Sequence, residues 1–200
     1  VTETPVFFWP ANTALNQMNV GVVGDLGTGK TQLLKSMVKQ LLDSSSATQS
    51  HRMSFLIFDY KDDYTDQEFV EATNARVIAP EKIPLNVFKI SGPYSKAKAG
   101  KRASAFVDML AKIYEGIGPI QSTQLTEVIV GLFEENGGNP PTIAQVLAKY
   151  KAVVGKIDSV SSTLSKFTLQ DVFEDDPSKL VEFDKLIDGN ALVVLSLIHI

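Results

Sequence analysis

The chain contains no cysteine and has little tryptophan or histidine. Its 200 residues include one tryptophan and two histidines. Without cysteine there can be no disulfide bridge, no thiolate metal site and no thiol nucleophile, and a cytoplasmic protein is favoured. The histidines, His51 and His199, are too far apart along the chain to suggest a shared site.

Long apolar runs and an excess of basic charge are also absent. The longest apolar stretches, such as residues 191–195, are far shorter than the roughly 20 residues of a membrane-spanning helix. No charged-then-apolar leader opens the chain, so we expect neither membrane insertion nor secretion. The net charge of −4 excludes the globally basic surface of many nucleic-acid-binding proteins, but a local basic face remains compatible with phosphate contacts.

The composition that is present is typical of a folded soluble domain. Hydrophobic residues make up 44% of the chain and charged residues 21%, which predicts one domain, with room for an insertion. Because the first residue is valine, we expect the chain to be a processed or excised part of a longer protein.

Strand-like and helix-like segments alternate along the first 92 residues. Apolar patterns predict strands at residues 6–9, 19–23, 53–58 and 76–79. Apolar spacing predicts a helix from Lys30 to Leu42, followed by a polar, serine-rich loop at 43–50. The capping-box spacing of Thr65 and Glu68 predicts a second, short helix. This alternation predicts an α/β core with a buried parallel sheet.

A helical period replaces this alternation further along the chain. Four apolar stripes predict four helices within residues 93–185, a turn follows at 188–190, and an apolar strand runs from residue 191 to 200. We therefore expect an N-terminal part of the core at 1–92, a helical insertion at 93–185 and a returning core strand at 186–200.

One motif lies between the strand predicted at 19–23 and the helix that follows it. It reads Gly24-Asp25-Leu26-Gly27-Thr28-Gly29-Lys30-Thr31, and Gln32 comes next. This is the phosphate-loop pattern G-x-x-x-x-G-K-T in its required strand-to-helix context. Glycines let backbone N–H groups converge on phosphate oxygens, Lys30 neutralises phosphate charge and Thr31 offers a hydroxyl to Mg²⁺. The motif predicts ATP and Mg²⁺ as ligands. Adenine is preferred because the guanine-reading pattern Asn-Lys-x-Asp is absent.

Asp59 is a second candidate residue. It ends the apolar run Phe55-Leu56-Ile57-Phe58, so the pattern alone predicts either a Walker B carboxylate that binds Mg²⁺ or a structural strand end.

Three segments together resemble the FtsK/HerA branch of the P-loop ATPases. The members of this branch form rings and process DNA. They are residues 19–32, residues 57–64 and the segment Ile83-Pro84-Leu85-Asn86-Val87-Phe88, which is similar to that branch's Pro-Leu-Asn-Pro-Phe signature. Within the branch, the chain most resembles the ATPases of DNA phosphorothioation-dependent restriction systems. Tyr60, Asp62 and Val87 depart from the usual Pro, Gly and Pro of these segments.

The resemblance implies a RecA-like P-loop core with a helical insertion, truncated at its C-terminus. It places the Walker B acid and the arginine finger beyond Ile200, in conflict with a Walker B role for Asp59. It implies a cytoplasmic, ATP-hydrolysing DNA translocase or helicase that forms a homo-oligomeric ring, with DNA and other restriction subunits as partners and no membrane contact. The fragment alone is then expected to be inactive.

Other functions and other residues remain open at this point. The alternative functions are a conjugative or secretion-type ATPase and a nucleotide-binding assembly module without turnover. Basic residues at 96, 98, 101 and 102 suit either DNA phosphates or a solvated surface, and Phe8 and Trp9 suit either adenine stacking or core packing.

Overall fold

The computed structural model describes residues 19–48 and 53–195, which form an α/β fold around a small parallel sheet. The strands are β1 (Phe55–Asp59), β2 (Arg76–Ile78) and β3 (Ala191–Leu195). The helices are α1 (Lys30–Thr48), α2 (Gln67–Thr73), α3 (Lys96–Ile113), α4 (Pro119–Glu135), α5 (Ile143–Val154), α6 (Ser159–Leu169) and α7 (Phe183–Ile187), with a 3₁₀ turn at Pro177–Lys179. The strand predicted at 6–9, Phe8, Trp9, both histidines and residues 196–200 of the last predicted strand lie outside the described residues.

The sheet has the strand order β1-β3-β2, and both pairings are parallel. Ala191 lies opposite Phe55 and Leu192 lies opposite Arg76. The last strand in sequence thus takes the central place, between two strands that precede the helical region. Because the strands are parallel, their carboxyl ends meet at one edge of the sheet, and the predicted parallel α/β core is confirmed.

The two faces of the sheet are covered to different extents. Helices α1 and α2 pack on one face, in a cluster of Val38, Leu42, Phe69, Ala191 and Val193. On the other face, Leu186 of α7 packs beside β2 and β3. Helix α7 has only five residues and leaves β1 open there, so Leu56 and Phe58 are 41% and 77% exposed. The predicted burial of the sheet is therefore wrong for this face of β1, within the described part of the chain.

Helices α3 to α6 enclose a separate hydrophobic core, which confirms the four predicted helices. Three of them begin at side-chain N-caps, namely Ser95, Thr142 and Asp158. Helix α7 spans the boundary predicted at residue 185 and packs against the sheet instead of this core.

The segment at 83–88 connects the sheet to the helical core. Ile83 and Leu85 pack beside the sheet, whereas Phe88 is fully buried in the helical core. Asn86 lies between them, where its Oδ1 accepts a hydrogen bond from the Phe88 N–H (2.8 Å) and its Nδ2 donates to the Pro141 carbonyl (3.0 Å). A short polar residue thus fixes the backbone at the point where the chain leaves the sheet.

The strand predicted at 19–23 does not form. This segment has no regular structure, and Val20 and Val23 are 55% and 97% exposed. A strand needs a neighbour for its backbone groups. Both edges of the central strand β3 are already taken by β1 and β2, and neither outer edge pairs with residues 19–23.

Two other predicted boundaries were wrong. The predicted loop at 43–50 is helical as far as Thr48, and within α1 the Ser44 and Ser45 hydroxyls donate to the carbonyls of Gln40 (2.7 Å) and Leu42 (2.9 Å). The N-cap of α2 is Asp66 rather than Thr65, since the Asp66 carboxylate accepts from the Phe69 N–H (2.9 Å).

Candidate nucleotide-binding site

The loop at 24–29 turns sharply before α1 begins. Gly27 and Gly29 have φ angles of 81° and 83°, in the left-handed region where a side chain would be strained. Between them, the N–H and the hydroxyl of Thr28 both donate to the Asp25 carbonyl, at 3.3 and 2.8 Å. The glycines at these two offsets therefore allow a tight turn that a β-carbon would oppose.

Gly24 is required for a different reason, which is close approach. A β-carbon at Gly24 would lie 2.7 Å from Oγ1 of Thr28. That oxygen is the one that closes the turn onto Asp25, so a larger residue at 24 would displace it. The first glycine of the motif is thus explained by packing within the loop.

Lys30 folds its side chain back over the loop. Its ammonium donates to the carbonyl oxygens of Gly24 (2.7 Å) and Asp25 (2.6 Å). The charge therefore lies within the loop, where a phosphate oxygen is a stronger partner for an ammonium than a neutral carbonyl. A phosphate bound there would take over these contacts.

Helix α1 begins at Lys30 and presents its N-terminus to the same place. Its first turn contains no acidic residue, and its first backbone bond runs from the Leu33 N–H to the Gly29 carbonyl (2.9 Å). The preceding N–H groups have no partner within the helix and carry its positive dipole end, which suits an anion. Thr31 is half-buried in this turn, while Leu26 and Gln32 are exposed.

Asp59 lies at the carboxyl end of β1 and is only 3% exposed. One carboxylate oxygen accepts from the N–H groups of Lys61 (3.2 Å) and Asp63 (3.1 Å), and the other accepts from the Tyr64 N–H (2.8 Å). The side chain therefore organises the turn at 60–64. Its role as a Mg²⁺ ligand remains a prediction.

Lys35 contributes to this region although it belongs to no sequence motif. Its ammonium pairs with the Asp66 carboxylate and lies 5.7 Å from the centroid of the Tyr64 ring. The hydrogen bond from Lys35, aided by the Phe69 N–H, holds the pKa of Asp66 below its usual value. Burial, together with the charges of Asp59 and Asp63, raises the pKa of Tyr64. No local pattern announces this contact, because its two sides are 31 residues apart.

The basic residues of α3 mostly make contacts within the chain. Lys98 donates to the carbonyls of Ser91 (2.9 Å) and Pro93 (3.0 Å), and Nε of Arg102 donates to the Val87 carbonyl (2.6 Å). Lys96 pairs with Glu134 at 3.0 Å. Lys98 and Arg102 therefore fix the segment that enters α3, whereas Lys96 joins α3 to α4. DNA contact through this helix face remains a prediction.

The residues at the loop fit a nucleotide phosphate. Positive-φ glycines, an inward lysine ammonium and a helix N-terminus without an acidic residue converge there. For Mg²⁺ the described residues offer the Thr31 hydroxyl, and among them no group of three or more histidine, cysteine or acidic residues is placed to hold a metal ion.

The family comparison agrees with this geometry. The family model described as helicase HerA, central domain, matches residues 9–198. The chain belongs to that family. This HerA-type domain is thus a member of a P-loop ATPase family, which accounts for the phosphate loop. The curated proteins searched contain no match to it, and no helix within residues 19–48 and 53–195 is long and apolar enough to cross a membrane.

Proposed function

We propose that the chain is the ATP-binding part of a DNA-processing motor of the translocase or helicase type, acting in DNA phosphorothioation-dependent restriction. The observation that carries the nucleotide part is the Lys30 ammonium, which lies over the loop at 2.7 and 2.6 Å from two carbonyl oxygens. Family membership supports the motor part. DNA, a ring of identical subunits, other restriction subunits and a cytoplasmic location belong to the same proposal.

Each residue of the loop has a defined role in this proposal. Lys30 exchanges its carbonyl partners for phosphate oxygens, and the backbone N–H groups at the start of α1 donate to the same anion. Thr31 provides a hydroxyl ligand for Mg²⁺, which when bound neutralises charge on the phosphates.

A nucleotide-binding module without turnover is the second candidate. The observation that favours it is the Asp59 carboxylate, which already accepts three backbone hydrogen bonds. Hydrolysis needs a group that orients the attacking water, besides the phosphate contacts. We therefore expect this chain alone to bind nucleotide and to hydrolyse it very slowly.

A thermal melt with Mg-ADP tests the binding part of the proposal. Ligand at 100 times its dissociation constant stabilises the fold by about 2.7 kcal/mol, which raises the melting temperature by roughly 5 °C or more in a chain of this length. Lys30→Ala should remove the rise, whereas Lys39→Ala, on the same helix, should keep it. If millimolar Mg-ADP raises the melting temperature of wild type and of Lys30→Ala equally, or raises neither, nucleotide binding at this loop is refuted.

Phosphate release by the intact protein, with and without duplex DNA, separates the functions. A DNA translocase should hydrolyse ATP faster when DNA is added, and an assembly module should show no turnover in either condition. ATP turnover at the same rate with and without duplex DNA would favour the conjugative or secretion-type ATPase.

A further inference from the structure

Lys35 has an unusual position for a lysine on a surface helix. It lies four residues after Thr31, so the two side chains share one face of α1. Its side chain is only 14% exposed, and its ammonium lies 5.7 and 5.9 Å from the ring centroids of Tyr64 and Phe69. Lysines are rarely withdrawn to this extent unless they are paired.

The partners of Lys35 lie at the end of the turn at 60–64 that Asp59 organises and in the first turn of α2. The Asp66 carboxylate forms an ion pair with the Lys35 ammonium and also caps the N-terminus of α2. The Tyr64 N–H donates to Asp59 at 2.8 Å, and the Tyr64 ring meets the Phe69 ring edge-on at 5.5 Å. One lysine therefore joins the phosphate-loop helix to the turn after β1.

Helix α1 also packs on the sheet through the apolar side chains of Val38 and Leu42. Apolar burial is non-directional and so permits a helix to rotate or slide slightly. A charge-assisted hydrogen bond has a preferred direction. The loop at 24–29 is exposed throughout, so its placement depends on α1.

We propose that Lys35 is a positioning residue of the nucleotide site, which fixes the rotation of α1 and thereby places Lys30 and Thr31. This inference rests on the proposed nucleotide binding. Lys35 touches no phosphate itself, and its effect reaches the ligand through the helix.

Calorimetric titration of the chain with Mg-ADP at low temperature tests this role. Lys35→Met keeps most of the apolar stem and removes the charge. We expect it to weaken binding about three- to tenfold, as for other residues that act on a ligand without contact. Lys35→Arg, which can still pair with Asp66, should restore most of the affinity. Lys39→Met is the matched control, because Lys39 lies on the same helix and pairs with Asp43; its affinity should stay within about twofold of wild type.

Asp66→Asn supplies an independent variant if Lys35→Met folds poorly. Asp66→Asn should also weaken Mg-ADP binding. The double variant, Lys35→Met with Asp66→Asn, should bind no more weakly than the single variant with the lower affinity, because both substitutions remove the same Lys35–Asp66 contact. A purely structural role would lower the melting temperature of these variants and leave the dissociation constant of the folded protein unchanged.

The outcomes distinguish the two proposals. If wild type binds, Lys30→Ala does not, and both Lys35→Met and Asp66→Asn bind like wild type, the role of Lys35 is overturned and the nucleotide site stands. If wild type itself does not bind Mg-ADP, both proposals fall.

Discussion

At the scale of single residues, Asp59 has the clearest structural role. Three backbone N–H groups donate to a carboxylate that is almost fully buried. Asp59→Asn keeps the shape but replaces one acceptor oxygen with an NH₂ group that faces N–H donors. We expect the free energy of unfolding, measured by urea denaturation, to fall by about 1 to 3 kcal/mol.

Asp63→Asn is the control for this prediction, because the Asp63 side chain is exposed in the same turn. Its unfolding free energy should change by less than about 0.5 kcal/mol. Equal stability of Asp59→Asn and wild type would contradict the anchoring role. A loss of ATP turnover in the intact protein, at unchanged stability, would instead support the Mg²⁺ role predicted from the sequence.

The motif at 24–31 predicted a tight turn before α1, and the backbone matches it at residue level because the motif is local. Gly24, Gly27 and Gly29 occur at the offsets where the backbone needs them, and Lys30 reaches back only five and six residues. Lys35 could not be predicted in this way, because its partners come from a turn about 30 residues later and depend on how α1 packs on the sheet.

At the scale of elements, the junction of α5 and α6 depends on a hydrogen-bonded pair, formed by the buried Tyr150 and the half-buried Asp158. The Tyr150 hydroxyl, on a fully buried side chain, donates to Asp158 at 2.7 Å. Burial opposes ionisation of Asp158, but hydrogen bonds from Ser161 and Tyr150 outweigh it and hold the pKa of Asp158 below its usual value. Burial and the Asp158 carboxylate raise the pKa of Tyr150.

Because of this pair, we expect the free energy of unfolding to depend on pH in the acidic range. A carboxyl whose pKa is lowered by folding contributes stability above its unfolded pKa, near 4, and loses it as the pH falls through the lower folded value. From pH 5 down to pH 3, the unfolding free energy of wild type should therefore fall more than that of Asp158→Asn, by about 1 kcal/mol. Urea denaturation at each pH measures it.

Tyr150→Phe and Asp108→Asn complete the experiment. Tyr150→Phe removes one donor to Asp158, so its acid dependence should lie between those of wild type and Asp158→Asn. Asp108 is exposed on α3, and Asp108→Asn should follow wild type. Parallel curves for wild type, Tyr150→Phe and Asp158→Asn would show that this pair does not contribute.

Element types were easier to predict than element limits. The long apolar stripes of α3 to α6 predict helices because each helix buries one face in a shared core. The start of α2 depends instead on a single carboxylate hydrogen bond, from the Phe69 N–H to Asp66. The serine-rich end of α1 has a composition that suits a loop as well as a helix. The segment at 19–23 has strand composition, but composition cannot reveal whether the segment pairs with an edge of the sheet.

At the scale of the whole molecule, the described residues bury two sets of hydrophobic side chains. One set surrounds the sheet, and the other lies among α3 to α6. The segment at 83–88 contributes to both. The Ile83 N–H also donates to the Val172 carbonyl at 2.8 Å, so the segment that leads from the sheet to α3 pairs with the segment that follows α6. The phosphate loop belongs to the sheet set through α1.

This division predicts where a bound nucleotide changes hydrogen exchange. Ligand binding protects amides that exchange only when the ligand-binding unit opens, and separate cores permit one unit to open alone. With Mg-ADP at 100 times its dissociation constant, the slowest amides of α1 and β3 should exchange about 100-fold more slowly. The slowest amides of α4 and α5 should change little. In Lys30→Ala, addition of Mg-ADP should no longer slow the exchange of these amides in α1 and β3. An equal gain in all four elements would mean that sheet and helical core unfold together, and the connection at 83–88 would then transmit the full binding free energy between them.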